Sequence, residues 1–148
     1  MGHRNTLSGH IQELWYVPGS DRSISRLWHQ NRRVIRSLPP DDQWPFLPRR
    51  MMATSPMWNI WQPGSTTYRG PVIYFGGSFS SLFEDWSQWL DKFEALLRRL
   101  YWEHALVALE TEWMGSHVCR WKADLSGFSA EHPTPITRWT FEGLRDFK

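Results

Sequence analysis

The sequence predicts an α+β fold, a mostly antiparallel sheet with two main helices on one face. Three observations predict it. Two segments carry apolar residues at helical spacing, several short segments alternate at period two, and prolines and glycines punctuate the joins. The order is β-α-β-β-α-β-β, which a ferredoxin-like arrangement accommodates. A chain of 148 residues is one domain by size and can bury a real core. Residues 1–148 are therefore expected to form a single globular unit, with a less regular tail over 125–148.

The elements follow in order. "HIQELWYVPGS" (10–20) reads as a strand with Ile11, Glu13, Trp15 and Val17 on one face, ended by Pro18-Gly19. "DRSISRLWHQNRRVIRSLPP" (21–40) reads as a helix. Ile24, Leu27, Trp28, Asn31, Ile35 and Leu38 share a face, and the two prolines stop it. Arg26, His29, Arg32, Arg33 and Arg36 fall on its outer face. Residues 41–50 form a proline-rich connection, 51–63 one or two short strands, and 64–70 a turn. "PVIYF" (71–75) reads as a buried strand that Gly76-Gly77 ends.

The second helix is the most legible element. In "SSLFEDWSQWLDKFEALLRRLYW" (80–102) the apolar residues recur at steps of three and four. Ser81 and Glu84 fit a capping box, Glu84 and Asp85 suit the positive end of the helix dipole, and Glu94 can reach Arg98 one turn on. Its stripe, including Trp86, Trp89 and Phe93, is expected to be core. "HALVALETEW" (104–113) and "SHVCRWKAD" (116–124) read as two strands joined at Met114-Gly115. A last short strand falls around Ile136–Phe141.

Composition narrows the function. The net charge of +2 is too small to argue for nucleic acid by itself, although residues 1–50 carry 8 Arg and 4 acids while the remainder is net acidic. One cysteine, Cys119, precludes an internal disulfide and fits a cytoplasmic setting. No long apolar run predicts a membrane span, and the N-terminus lacks a secretory apolar region. Gly2 and Thr6 match a loose myristoylation pattern that recurs by chance. Eleven tryptophans exceed what one core of this size needs. Some are expected at the surface, where tryptophan anchors protein interfaces.

No motif carries a reaction. His117-x-Cys119, with His104 nearby, offers too few ligands for zinc, and a packed cysteine beside a surface histidine is the simpler expectation. A Cys119 nucleophile with His104 or His117 as base has no further support. "YFGGSFSS" lacks the lysine of a P-loop and the spacing of a dinucleotide fingerprint, so its glycines are expected to permit a strand-to-helix turn. Glu110 and Glu112 alternate along one strand beside Trp113. They can be read as paired catalytic carboxylates, as a solvated strand face, or as an acidic, aromatic-edged patch for a basic partner. The arginine face of the first helix is a solvated surface or an RNA-binding one. No enzyme activity, cofactor or metal is expected. A small-molecule-binding domain remains a further alternative.

The stretch 70–115 joins a "YFGGSF" turn to a "W..WL.KFE.LL..LYW" helix and an "A...LETEW.G" strand. It resembles small immunity proteins of bacterial polymorphic-toxin systems, those paired with Rhs-type or contact-dependent toxins. The resemblance implies a cytoplasmic protein that binds a cognate toxin domain and neutralises it, covering its active site or locking it in an inactive shape. It implies no catalytic residues, and it carries no interface residue over. Physics alone selects those. Trp44, Trp58 and Trp61 lie in proline-broken segments that cannot all be buried. Glu110, Glu112 and Trp113 form the acidic, aromatic candidate.

Overall fold

The computed structural model describes residues 3–14, 21–54, 71–129 and 132–147. Its elements are β1 (Arg4–Glu13), α1 (Asp21–Ser37), β2 (Met52–Thr54), β3 (Val72–Ser80), α2 (Trp86–Leu97), β4 (Trp102–Thr111), β5 (Gly115–Ala123) and β6 (Trp139–Glu142). The strands form one antiparallel sheet in the order β2-β3-β1-β4-β5-β6. This confirms the α+β class. Six strands exceed the four of a ferredoxin-like unit, because β5 and β6 extend the sheet beyond β4.

Period two decides which side chains are inside. Leu7 and Ile11 of β1, Ile73 and Phe75 of β3, Ala105, Val107 and Leu109 of β4, and Cys119 and Trp121 of β5 share the covered face. A bulge between Gln12 and Glu13 changes the phase where β1 meets β4, so Glu13 pairs with Trp102 and both are buried. Gly9 is required where it stands. A Cβ there would lie 2.5 Å from the Leu106 carbonyl oxygen and 2.5 Å from the Phe75 ring. The ring uses that space to reach Phe93, at 5.2 Å between centroids.

α2 lays its stripe on this face. Trp86 and Trp89 stack at 5.3 Å with nearly parallel rings, Trp89 stacks on Phe93 at 5.3 Å, and Phe93 meets Trp121 of β5 at 4.9 Å. The indole N–H groups are satisfied as burial demands: Trp86 donates to the Leu144 carbonyl, Trp89 to that of Phe46, and Trp121 to the Glu94 carboxylate. The expected core stripe is therefore core.

α1 docks through polar groups as well as apolar ones. Ile24, Leu27 and Trp28 pack with Leu14 and Tyr101. The buried Asn31 amide donates to Glu13 and to the Tyr101 carbonyl, and its oxygen accepts the Tyr101 N–H. Trp28 donates to the Leu14 carbonyl at 2.7 Å.

Several local expectations are corrected. β1 begins at Arg4 rather than His10, and residues 15–20 lie outside the described residues. The Gly76-Gly77 pair sits inside β3. The turn falls at Ser81, whose φ of 57° is left-handed. Ser81 makes no capping bond to the helix; its hydroxyl accepts the His3 N–H instead. Leu82–Asp85 is a 3-10 turn, and α2 proper starts at Trp86. Arg32 is not on an outer face. It is buried and ion-paired with Glu13, because it sits one residue along from Asn31 on the side facing the β1 bulge. Glu94 does not form a surface pair with Arg98. It is buried and bridged by Arg145 of the C-terminal segment, while Arg98 lies 4.8 Å over the Trp139 ring.

Two stability predictions follow from the core. Trp86→Ala should cost about 3–5 kcal/mol, the range for large aromatic deletions in cores, and urea denaturation measures it. An unchanged midpoint would contradict the packing just described. The second concerns acid. Burial alone would raise the Glu94 pKa, but the hydrogen bonds from Arg145 and Trp121 outweigh it and hold the carboxyl below the usual glutamate range. A depressed folded pKa gives stability that is present above the unfolded value and lost as pH falls through the folded one. Wild type should therefore weaken progressively below about pH 4.5, and Glu94→Gln should show a shallower acid slope in denaturation curves across pH.

Candidate functional site

The register brings four chain segments to one end of the sheet. Arg4 pairs with Ser80, Asn5 with Thr111, and Thr111 with Gly115. The start of β1, the end of β3 and the β4–β5 turn therefore lie together. Trp113 stands in that turn and is 76% exposed. The turn is tight. The Thr111 hydroxyl accepts the Met114 N–H at 2.7 Å, Gly115 takes a φ of 72°, and the His117 ring bonds the Met114 carbonyl.

Trp113 is braced from below. Its ring lies 4.4 Å from that of His3, which neighbours Phe83, and Phe83 meets Phe147 edge-on. Phe147 in turn neighbours Trp86 of the core column. Glu110 is exposed on the opposite, uncovered face of β4, in register with Thr6 and Ser116. Glu112 is exposed too, but it belongs to the turn beyond Thr111. The two carboxylates are not an alternating pair on one strand, because β4 ends between them.

Trp44 lies in the loop after α1 and is 39% exposed. Its indole donates to Asp85, and its ring meets Phe46 and Phe79 edge-on at 5.3 and 6.1 Å. This loop is pinned by Lys92, whose ammonium donates to Asp42 at 2.9 Å and to the carbonyls of Gln43 and Pro45. Burial works to raise the Asp42 pKa. The Lys92 bond and the N–H groups of Leu47 and Gln43 outweigh it, so Asp42 is held below the usual range and stays charged. Phe79 is the partner of Asn5 in the sheet, which puts Trp44 at the same end as Trp113. Trp58 and Trp61 lie outside the described residues.

The other candidates separate. His117 and Cys119 share a side of β5, but His104 points to the opposite face of the sheet, away from Cys119. Burial pushes the Cys119 thiol up, the wrong direction for a thiolate nucleophile. Among the described residues no cluster of three or more His, Cys, Asp or Glu could hold a metal ion, and no helix is long and apolar enough to cross a membrane.

The uncovered sheet face holds residues that belong to no local sequence motif. Tyr74, His10, Leu106, Arg120 and Glu142 stand side by side across β3, β1, β4, β5 and β6. His104 and Lys122 are neighbours in the next row. His10, His104, Arg120 and Lys122 line a groove of about 890 Å³ together with Glu103 and Glu142. Each of the first four stands next in sequence to a buried residue, a signal that was available. Their alignment into rows depends on strand order and register, which no local pattern encodes. Compared with known protein families, curated protein sequences and solved structures, the chain has no match.

Proposed function

We propose that this chain is an immunity protein, one that binds a cognate toxin domain in the cytoplasm and neutralises it by covering its active site or holding it inactive. The resemblance of residues 70–115 to such proteins suggests the class. The observation that carries the reading is Trp113, a large aromatic side chain left in solvent on a short turn and propped by a ring stack that reaches the core. A side chain already held in place loses little freedom on binding, which favours it as an interface anchor.

The chemistry of the same end suits a basic partner. Glu112 neighbours Trp113 in the turn, Glu110 stands on the uncovered face at the same end, and Glu84 and Asp85 sit on the 3-10 turn beside Phe83. Carboxylates presented around an aromatic plug can occupy a cleft that binds phosphates, steer the encounter and exclude the toxin's own substrate. Trp44, fixed by Asp85 and the Lys92-pinned loop, extends the surface. Neutralisation by occlusion asks nothing catalytic of this chain and no cofactor.

Co-expression is the test of function. The variable C-terminal domain encoded by the gene upstream should arrest growth when expressed alone, and this protein should relieve the arrest and co-purify with it. Arrest without relief would end the immunity reading. Given a complex, Trp113→Ala should cost at least about 2 kcal/mol of binding while shifting stability by no more than about 0.5 kcal/mol. Glu110→Lys with Glu112→Lys should slow association, read by stopped flow or surface plasmon resonance. Unchanged affinity in the double variant would remove the acidic face from the interface.

A further inference from the structure

From the groove on the uncovered sheet face we infer a second binding site, for single-stranded nucleic acid, with phosphates on Arg120 and Lys122 and bases against the rings of His10, His104 and Tyr74. The two cations lie two residues apart on β5, and both point out of the sheet. Among the described residues neither has an ion-pair partner, although Glu142 is the direct sheet neighbour of Arg120. Two unpaired cations about 7 Å apart along a strand match the spacing of successive phosphates in a stretched polynucleotide.

The rings continue the same rows. His10 and His104 meet edge to face at 5.7 Å, and His10 neighbours Tyr74 at 6.4 Å. Burial first, and then the charge of His104, pushes the His10 pKa down. Near pH 7 that ring is neutral and offers a flat face rather than a charge. Leu106 lies between His10 and Arg120 and supplies an apolar floor. Base stacking on such side chains tolerates sequence, because every base has a π face.

Size favours a strand over a single nucleotide. The groove is that of a small-ligand cleft, within roughly 300–1,000 Å³, yet the row runs past it to Tyr74, which is 57% exposed. A free nucleotide would leave that ring unused; a second base would cover it. The site is also set apart from the Glu110–Trp113 end, since Val107, Ala108 and Leu109 of β4 separate Leu106 from Glu110.

The test uses the full chain and a short fluorescein-labelled single-stranded RNA of mixed sequence, followed by anisotropy across a salt series. Wild type should bind at low salt and weaken as salt rises. Arg120→Gln with Lys122→Gln should lose at least tenfold in affinity and flatten the logarithmic salt slope by about 1.4, for two phosphate contacts at about 0.7 each. Tyr74→Ala should lose about tenfold. Arg33→Gln with Arg36→Gln on α1 should leave binding as it was, and circular dichroism should report the same fold in every variant. Four outcomes would overturn the inference. Wild type shows no binding at low salt. The α1 variant, rather than the β5 one, loses affinity. A duplex of the same sequence competes equally. Or a mononucleotide competes mole for mole, which would make this a free-nucleotide site.

Discussion

The structure depends on one column of stacked rings. Trp86, Trp89 and Phe93 follow each other at steps of three and four along α2, so their rings lie on one helix face and stack on one another. Trp121 closes the column against β5, and Phe141 of β6 packs against Trp121 at 5.1 Å. A six-stranded sheet holds a helix on its face by filling the space between them. Here large rings fill it, and their N–H groups reach outward to the Phe46, Leu144 and Glu94 acceptors. The same bonds that satisfy the indoles therefore fix the loop after α1 and the C-terminal segment. Removing one ring disturbs packing and anchoring together.

A second constraint acts at the other helix. Burying Glu13 is costly, and burial pushes its carboxyl up against the opposing pull of Arg32 and Asn31. The arrangement persists because Asn31 answers both backbone groups of Tyr101 while it holds Glu13. A polar tie of this kind contributes little net stability but admits only one register of α1 against β1. It also removes Arg32 from the helix surface. The arginine face that remains, Arg26, Arg33 and Arg36, is narrower and less suited to gripping a nucleic-acid backbone than the spacing of residues 26–36 suggests.

Legibility followed the range of the interactions. The α2 stripe, the core assignment of Trp86 and the strands around Val107 and Trp121 were readable, because period and propensity are local. Ser81 was misread because a capping box and a strand-ending left-handed residue share the same side-chain chemistry; only the strand running through Gly76-Gly77 decides between them. Glu94 and Arg98 sit at ideal helical spacing, yet Arg145, 51 residues away, takes the carboxylate. The candidate site divides in the same way. The exposure of Trp44 and Trp113 could be argued from excess tryptophan and proline-broken context. The row from Tyr74 to Glu142 could not, since each member comes from a different strand.

The two ends of the sheet face differ in character for a structural reason. β4 and β5 are joined by a tight turn, so the residues near it share one end: Glu110, Glu112 and Trp113. The cations Arg120 and Lys122 follow on the outgoing strand and stand opposite Leu106 and His104. Ala108 and Val118 are paired between the two groups. The groove itself is mixed in charge, with Glu103 and Glu142 beside Arg120 and Lys122, whereas the turn end carries carboxylates near an exposed indole. Glu110, Arg120 and Lys122 ride on paired strands, so backbone hydrogen bonds hold their positions, while Glu112 stands in the turn beyond β4.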